Sequence, residues 1–392
     1  MNKKAINSSR IPIYRDAGFE LTDAGTTAEA FRKEADNERE PDLYIYSRYR
    51  NPTVVSTEEA IMEIEGSRWA LLTQSGMSAV DTALSIFQRA DDTRPWLFFS
   101  EIYGGTVSFI ESVLKKRRGI DTHTFTPGNE KYDLNEFGKV LESVRPELVY
   151  IEAISNPMLI VPDAEGIIRM AHKYGVTVIV DNTFATPALW KPLESGADIV
   201  IHSATKYFSG HGNITAGVIC GNDRTIMKSA VEYRKYTGHM ISADDAYRLQ
   251  TQLETFELRF ARQCSSAEMI SVILHEDQHV RRVWYPGLES HPTHYEAVRL
   301  FKGKGFGGMI TFDLNGRNAE EKRLHRDTFI KAVSDQIRLI PSLGDSKSIL
   351  MPVESVWGAK YPEPGMIRLS VGFENPEELA ETIRKGLRSI DL

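Results

Sequence analysis

The chain has 392 residues, 41% hydrophobic and 26% charged, with a formal net charge of -7. That length accommodates two packed domains, and the acidic balance gives no basis for a nucleic acid or a membrane surface as partner. Two cysteines, Cys220 and Cys264, are too few for a disulfide scaffold and are not spaced as metal ligands, so they read as small buried residues.

The first four residues are basic, but residues 5–10 never become the apolar core of a signal peptide. No apolar run approaches the ~20 residues needed to cross a bilayer, so the expected location is the cytoplasm. Residues 1–48 read as an extended arm with one short helix, interrupted by a charged stretch at 32–40 and by Pro41 ahead of Tyr44, Ile45 and Tyr46. From about 68 to 220 the pattern alternates. Apolar runs at 68–73, 96–100, 147–152, 176–180 and 197–201 have the near-continuous hydrophobicity of strands covered on both faces. Between them Ala79, Val80, Ala83, Leu84 and Phe87 recur at helical spacing. A further helix starts at the cap Asp163, turns Ala164, Ile167, Ala171 and Tyr174 to one side, and stops at Gly175. This alternation predicts an α/β fold with a mostly parallel central sheet and helices on both faces.

After about residue 245 a long helical stretch runs through Tyr247, Leu249, Leu253, Phe256 and Phe260, followed by strand-like runs at 308–313 and 366–371. A smaller α+β domain is expected there, which divides the chain into an arm (1–48), an α/β domain (49–245) and a C-terminal domain (246–392). Several features read blandly. The basic run 115–118 complements the negative end of a helix. Residues 303–308 are a glycine-rich turn, because a strand rather than a helix follows. His291 and His294 read as surface histidines, and no metal site is expected. His211 reads equally as a participant in proton movement or as a structural histidine.

Chemistry concentrates at strand ends, where open α/β sheets bind ligands. Asp181-Asn182-Thr183 follows the run 176–180, and Ser203-Ala204-Thr205-Lys206 follows 197–201. Ser75-Gly76-Met77 follows a strand and opens a helix, so its backbone amides and the helix dipole suit a phosphate dianion, with hydroxyls from Ser203 and Thr205. A phosphate cradle, a carboxylate and a lysine are the partners that pyridoxal 5'-phosphate requires. Asp181 would keep its ring nitrogen protonated, and Lys206 would supply the amine for its aldehyde, aided by desolvation that lowers the lysine pKa.

With Tyr46-Ser47-Arg48, Asn51-Pro52-Thr53, Tyr103-Gly104-Gly105-Thr106 and Ser155-Asn156-Pro157 in the same order, the chain resembles the Cys/Met-metabolism pyridoxal-phosphate enzymes. That family includes cystathionine γ-synthase, cystathionine γ-lyase, methionine γ-lyase and O-acetylhomoserine sulfhydrylase. The resemblance spans nearly the whole chain and implies the fold-type I, aspartate-aminotransferase-like architecture. It implies that Tyr46 and Arg48 reach the phosphate in a neighbouring subunit of a homotetramer built from two dimers. Tyr103 would stack on the cofactor ring and exchange a proton with substrate or leaving group. Asn156 would lie near the ring's phenolic oxygen and Thr183 beside the ring, while Ser342 and Arg368 would hold the substrate α-carboxylate.

The implied reaction is γ-elimination from a sulfur-containing amino acid such as methionine, cystathionine or homocysteine, with Lys206 as the base and Tyr103 as the acid, giving 2-oxobutyrate and ammonia. Two alternatives stay open: γ-replacement on an O-acylhomoserine, and a cofactor-binding paralogue of low activity. Residues 205–217 and 285–288 are similar to the methionine γ-lyase branch. Gly105 and Tyr236 depart from that branch's cysteine and aspartate, Lys347 replaces a glutamate typical of cystathionine lyases, and Val356-Trp357 replace the usual Thr-His. These changes alter the expected active-site wall.

Overall fold

The computed structural model describes residues 10–35, 43–361 and 363–391. Seven strands form the first sheet: β1 (Trp69–Thr73), β2 (Trp96–Phe99), β3 (Thr122–Phe125), β4 (Leu148–Glu152), β5 (Thr177–Asp181), β6 (Ile199–His202) and β7 (Gly217–Gly221). Their spatial order is β1-β7-β6-β5-β4-β2-β3. The run from β3 to β6 is parallel, and β7 lies antiparallel to both of its neighbours. β4 and β6 are buried along their whole length, as expected for strands covered on both faces. Two of the seven were not apparent in the apolar pattern. β3 reads Thr-His-Thr-Phe and is largely accessible at the sheet edge, and β7 has only three apolar residues between glycines.

The expected helices at 79–87 and after Asp163 are present as Gly76–Ser85 and Ala164–Lys173. Asp163 accepts the Gly166 amide at 2.9 Å, and Gly175 adopts the left-handed conformation that ends the second helix. The arm contributes a helix at Ala24–Ala35; the expected features at 1–9 and 36–42, Pro41 included, lie outside the described residues. The basic run follows Gly104–Phe109 and its π-helical continuation Ile110–Lys115, with Arg118 bonded to Asp81 at 2.9 Å.

The long helical stretch after 245 is two helices, Ala243–Leu253 and Phe256–Glu276, broken at Thr255. The second carries Arg259, which donates to the carbonyls of Tyr207 and Phe208 at 3.0 and 2.9 Å and so clamps the turn that follows Lys206. A five-stranded sheet comes next: β8 (Val280–Trp284), β9 (Met309–Leu314), β10 (Arg338–Leu339), β11 (Ile349–Pro352) and β12 (Met366–Ser370), in the order β10-β11-β12-β9-β8. It is antiparallel except for the β10–β11 pair. Ile270, Phe312, Phe329, Leu350, Ile367 and Ile383 belong to its own core, while Leu249, Phe256 and Phe260 pack into the core of the first sheet.

His291 is a correction to the sequence reading. It is buried rather than at the surface, accepting the Thr293 amide at 3.2 Å and facing the Met158 carbonyl at 3.4 Å, and burial lowers its pKa to about 4. Both cysteines are free and buried. Among the described residues no group of acidic, histidine or cysteine side chains is placed to hold a metal, and no helix is long and apolar enough to cross a membrane.

β1 is held at the end of the sheet by a buried charge pair. Glu58, on the helix Pro52–Glu65, accepts the Leu72 amide at 2.9 Å and the Arg234 guanidinium at 2.6 Å, and Arg234 also donates to the Leu72 carbonyl. Removing one partner strands the other charge in the interior. Arg234→Met is expected to cost about 3 kcal/mol of unfolding free energy, measured by denaturant titration. The double variant with Glu58→Leu should recover only part of that loss, because the buried Leu72 amide and carbonyl then lose their partners.

Candidate active site

The strand ends and the second sheet enclose a cavity of ≈ 530 Å³. The segments that follow β1, β2 and β6, together with the last residues of β4 and β5, supply one side: Ser75, Tyr103, Lys206, Glu152 and Asp181. The second sheet supplies the other, through Arg368 on β12, Met351 on β11 and Ser342 in the connection ahead of β11. Asp181 and Lys206, 25 positions apart in the chain, therefore line one cavity.

Of the residues anticipated from sequence, Ser75, Gly76, Met77, Tyr103, Asn156, Asp181, Thr183, Ser203, Thr205, Lys206, Ser342 and Arg368 all face this space. Tyr46 and Arg48 do not. Both are exposed, and the Arg48 guanidinium lies over the Tyr49 and Tyr46 rings and donates to the Lys235 carbonyl at 2.5 Å.

Ser75 caps the helix Gly76–Ser85 by accepting the Ser78 amide at 3.1 Å, which leaves the Gly76 and Met77 amides as first-turn donors without an intrahelical acceptor. A Cβ on Gly76 would come within 2.9 Å of Ser203, so only glycine lets the cap and the Ser203 turn approach this closely. The Ser203 amide donates to Thr183 Oγ1 at 2.8 Å, whereas the Thr205 hydroxyl is engaged with the Ala216 backbone. Asp181 accepts three hydrogen bonds: from Thr183 Oγ1 at 2.6 Å, from the Thr183 amide at 3.0 Å and from the Tyr150 hydroxyl at 3.0 Å. These fix the carboxylate's orientation at the strand end. Any side chain at Gly105 would overlap the Tyr103 ring as it lies here.

The electrostatics are set by cations without counter-charges. Arg368 is buried, and its guanidinium donates to Asn156 Oδ1 at 3.0 Å and to the Ser342 carbonyl at 2.9 Å, both neutral acceptors. Lys206 donates from Nζ to Ser342 Oγ at 2.9 Å. Burial first, then the Arg368 charge, lowers the Lys206 pKa to about 8, and burial lowers that of Arg368 to about 10. Among the described residues no carboxylate pairs with either cation, and no basic side chain pairs with Asp181. Unpaired buried charges are costly unless a ligand completes them. First-turn amides, an oriented carboxylate and a buried amine are the donor set that a phosphorylated pyridine aldehyde requires, and the fit extends to the close approach at Gly76.

Sequence reasoning missed Glu152 and Tyr150. Glu152 pairs in register with Asp181 and accepts the Tyr103 amide at 2.6 Å. Burial and the Asp181 charge push its pKa well above the ordinary carboxylate value. Its position at the end of a parallel strand was the available signal. Of the positions expected to alter the wall, Gly105, Val356 and Trp357 line the cavity, whereas Tyr236 and Lys347 are not among its lining residues.

The family model described as Cys/Met metabolism PLP-dependent enzyme matches residues 1–388. The chain is 33% identical to an L-methionine gamma-lyase of Fusobacterium nucleatum subsp. polymorphum, over 99% of this chain and 95% of that protein. It is 31% identical to a cystathionine beta-lyase of Lactococcus lactis subsp. cremoris, over 98% and 95% of the two chains. Among solved structures it is similar to metB from Corynebacterium glutamicum, with a TM-score of 0.86, 28% identity and coverage of 98% and 94%. It is also similar to cystathionine gamma synthase from Xanthomonas oryzae pv. oryzae, with a TM-score of 0.84 and 29% identity over 97% and 92% of the chains. A cavity whose donor set suits pyridoxal phosphate, within a fold shared with these proteins, accords with the match along the chain: it belongs to the Cys/Met-metabolism family of pyridoxal-phosphate-dependent enzymes.

Proposed function

We propose that this enzyme is a carbon–sulfur lyase that eliminates the γ-substituent of a sulfur-containing amino acid. The carrying observation is the unpaired Arg368 guanidinium in the same cavity as Lys206 and Asp181, a receptor for one α-amino acid carboxylate beside an amine of lowered pKa. When bound, pyridoxal phosphate supplies an aldehyde carbon for the substrate amine and an electron-withdrawing ring that acidifies the substrate's α-carbon.

The chain's own residues supply the rest. The Gly76 and Met77 amides and the Ser203 hydroxyl bind the phosphate. Asp181, oriented by Thr183 and Tyr150, holds the ring nitrogen's proton, and Asn156 orients Arg368 from behind through Oδ1. Arg368 fixes the substrate carboxylate with its remaining donors. Lys206, as a free amine of lowered pKa, would be the base for the substrate's α-proton. Tyr103, whose ring is half exposed at the cavity mouth, donates to the departing sulfur. Addition of one water to methionine then gives methanethiol, 2-oxobutyrate and ammonia. Tyr46 and Arg48, exposed and outside this cavity, complete the phosphate site of a second copy, and the working assembly is a homotetramer of two such dimers.

Incubation with methionine, cystathionine or homocysteine should release 2-oxobutyrate. Homocysteine formed only from O-acetylhomoserine plus sulfide would assign γ-replacement instead, and no product from any donor would favour a low-activity paralogue. Lys206→Ala should lower turnover by about 10²–10⁴-fold. Mixing Lys206→Ala chains with Arg48→Ala chains should restore part of it, because one of the two sites in a mixed dimer then has both residues. No restoration would place Arg48 outside the neighbouring site.

A lysine amine attacks only when deprotonated. Capture of pyridoxal phosphate by apoprotein should therefore rise with pH through a midpoint of about 8, followed by absorbance. A midpoint near the ordinary lysine value would contradict the environment described for Lys206.

A further inference from the structure

The cavity has one wall for which the conserved chemistry of an amino-acid site gives no reason. Trp357 lines it, with the Arg368 guanidinium carbon 5.4 Å from the ring centroid, and its Nε1 lies at the edge of Gly104, where the Tyr103 helix begins. The indole thus spans from the carboxylate-binding arginine to the element that carries Tyr103. It is not a free flap. The segment bearing it, the short helix Glu354–Trp357 and the 3-10 turn Gly358–Lys360, is tied at both ends. At the first end Glu354 pairs with Arg323 at 2.5 Å and Arg326 at 3.0 Å. At the far end Lys360 donates to the Ser100 carbonyl at 2.7 Å, and the Tyr361 hydroxyl bonds Glu101, two residues before Tyr103. Beneath, Trp357 packs on Met158, Trp284, Val353 and Met366.

Besides the indole, the cavity's apolar lining includes Met351, Val356, Leu343, Ile154 and Phe184. Its charged members are Glu152, Asp181, Lys206 and Arg368, and the two cations are already committed to the aldehyde and the α-carboxylate. A second carboxylate at the far end of a substrate would find no further cation among the described residues that line the cavity and would lose its hydration against an aromatic face.

We propose that Trp357 is a specificity-determining residue: held between Arg368 and the Tyr103 helix, its indole favours amino acids whose side chain ends in an uncharged, apolar group over those ending in a second charged group. This rests on reading the cavity as an amino-acid site and narrows the substrate class to amino acids such as methionine, whose side chain ends in an alkyl group, and away from cystathionine, which ends in a second charged group.

The test measures binding of two unreactive probes to holoenzyme by calorimetric titration: norleucine, with an apolar end, and L-2-aminoadipate, with a carboxylate end. Wild type should bind norleucine at least about tenfold more tightly, the scale on which apolar pockets discriminate. Trp357→Ala should narrow that ratio to about twofold, and Trp357→Phe, which keeps an aromatic face, should retain most of it. A Trp357→Ala protein that weakens both probes by the same factor would overturn the proposal, as would wild type that binds the two equally. Norleucine binding with no 2-oxobutyrate from methionine would count against the reaction proposed above while supporting the wall. Failure of norleucine to bind wild type would overturn both.

Discussion

The arrangement depends on two positive charges held in a largely enclosed space without an anion from the chain. Arg368 and Lys206 share Ser342, one through its carbonyl and the other through its hydroxyl, and the Arg368 charge lowers the lysine's preference for its charged form while burial does the same for both. Such a pair is a burden on stability unless a bound anion or covalent partner relieves it. For the arginine the proposed relief is a substrate carboxylate. For the lysine it is attachment to an aldehyde, which needs the neutral amine that burial already favours.

The two sheets are what bring these groups together. Parallel strands β4, β5 and β6 and the similarly directed β1 and β2 all end on one side, so residues far apart in sequence converge at a single edge. The second sheet presents Arg368 from a buried antiparallel strand, flanked by β11 and β9, which gives the guanidinium a rigid base. Arg259 and the Tyr361–Glu101 contact then fasten the second unit to the segments around Lys206 and Tyr103. Relative placement of the catalytic groups is thereby a property of packing between two cores rather than of either alone.

Glu152 illustrates how a neighbouring acid can serve without taking part in chemistry. Sitting opposite Asp181 on the adjacent strand, its carboxyl has a pKa pushed up by burial and by the Asp181 charge, which favours its neutral form beside that carboxylate. Its acceptance of the Tyr103 amide fixes the start of the helix Gly104–Phe109, where Gly105 leaves room for the aromatic ring. The geometry at the cavity mouth therefore follows from a carboxyl group, a backbone amide and a missing side chain.

Much of the fold was legible because buried parallel strands must be apolar throughout, and β4, β5 and β6 announce themselves that way. The cap at Asp163, the stop at Gly175 and the lysine and aspartate after strand ends are likewise local patterns set by short-range sterics and hydrogen bonding. Edge strand β3, half solvated, needs no such pattern, and the break at Thr255 in an otherwise periodic stretch is decided by packing onto the first core. Burial of His291 also lay beyond local reading, since its partners at Met158 and Thr293 come from two separate connections. The sequence by itself determined which chemical groups stand at the strand ends. Only the tertiary structure decided that Arg368 has no counter-ion among the described residues, that Glu152 is buried beside Asp181 and that the Trp357 segment is tied down at both ends, because charge environment and enclosure depend on neighbours brought from distant segments.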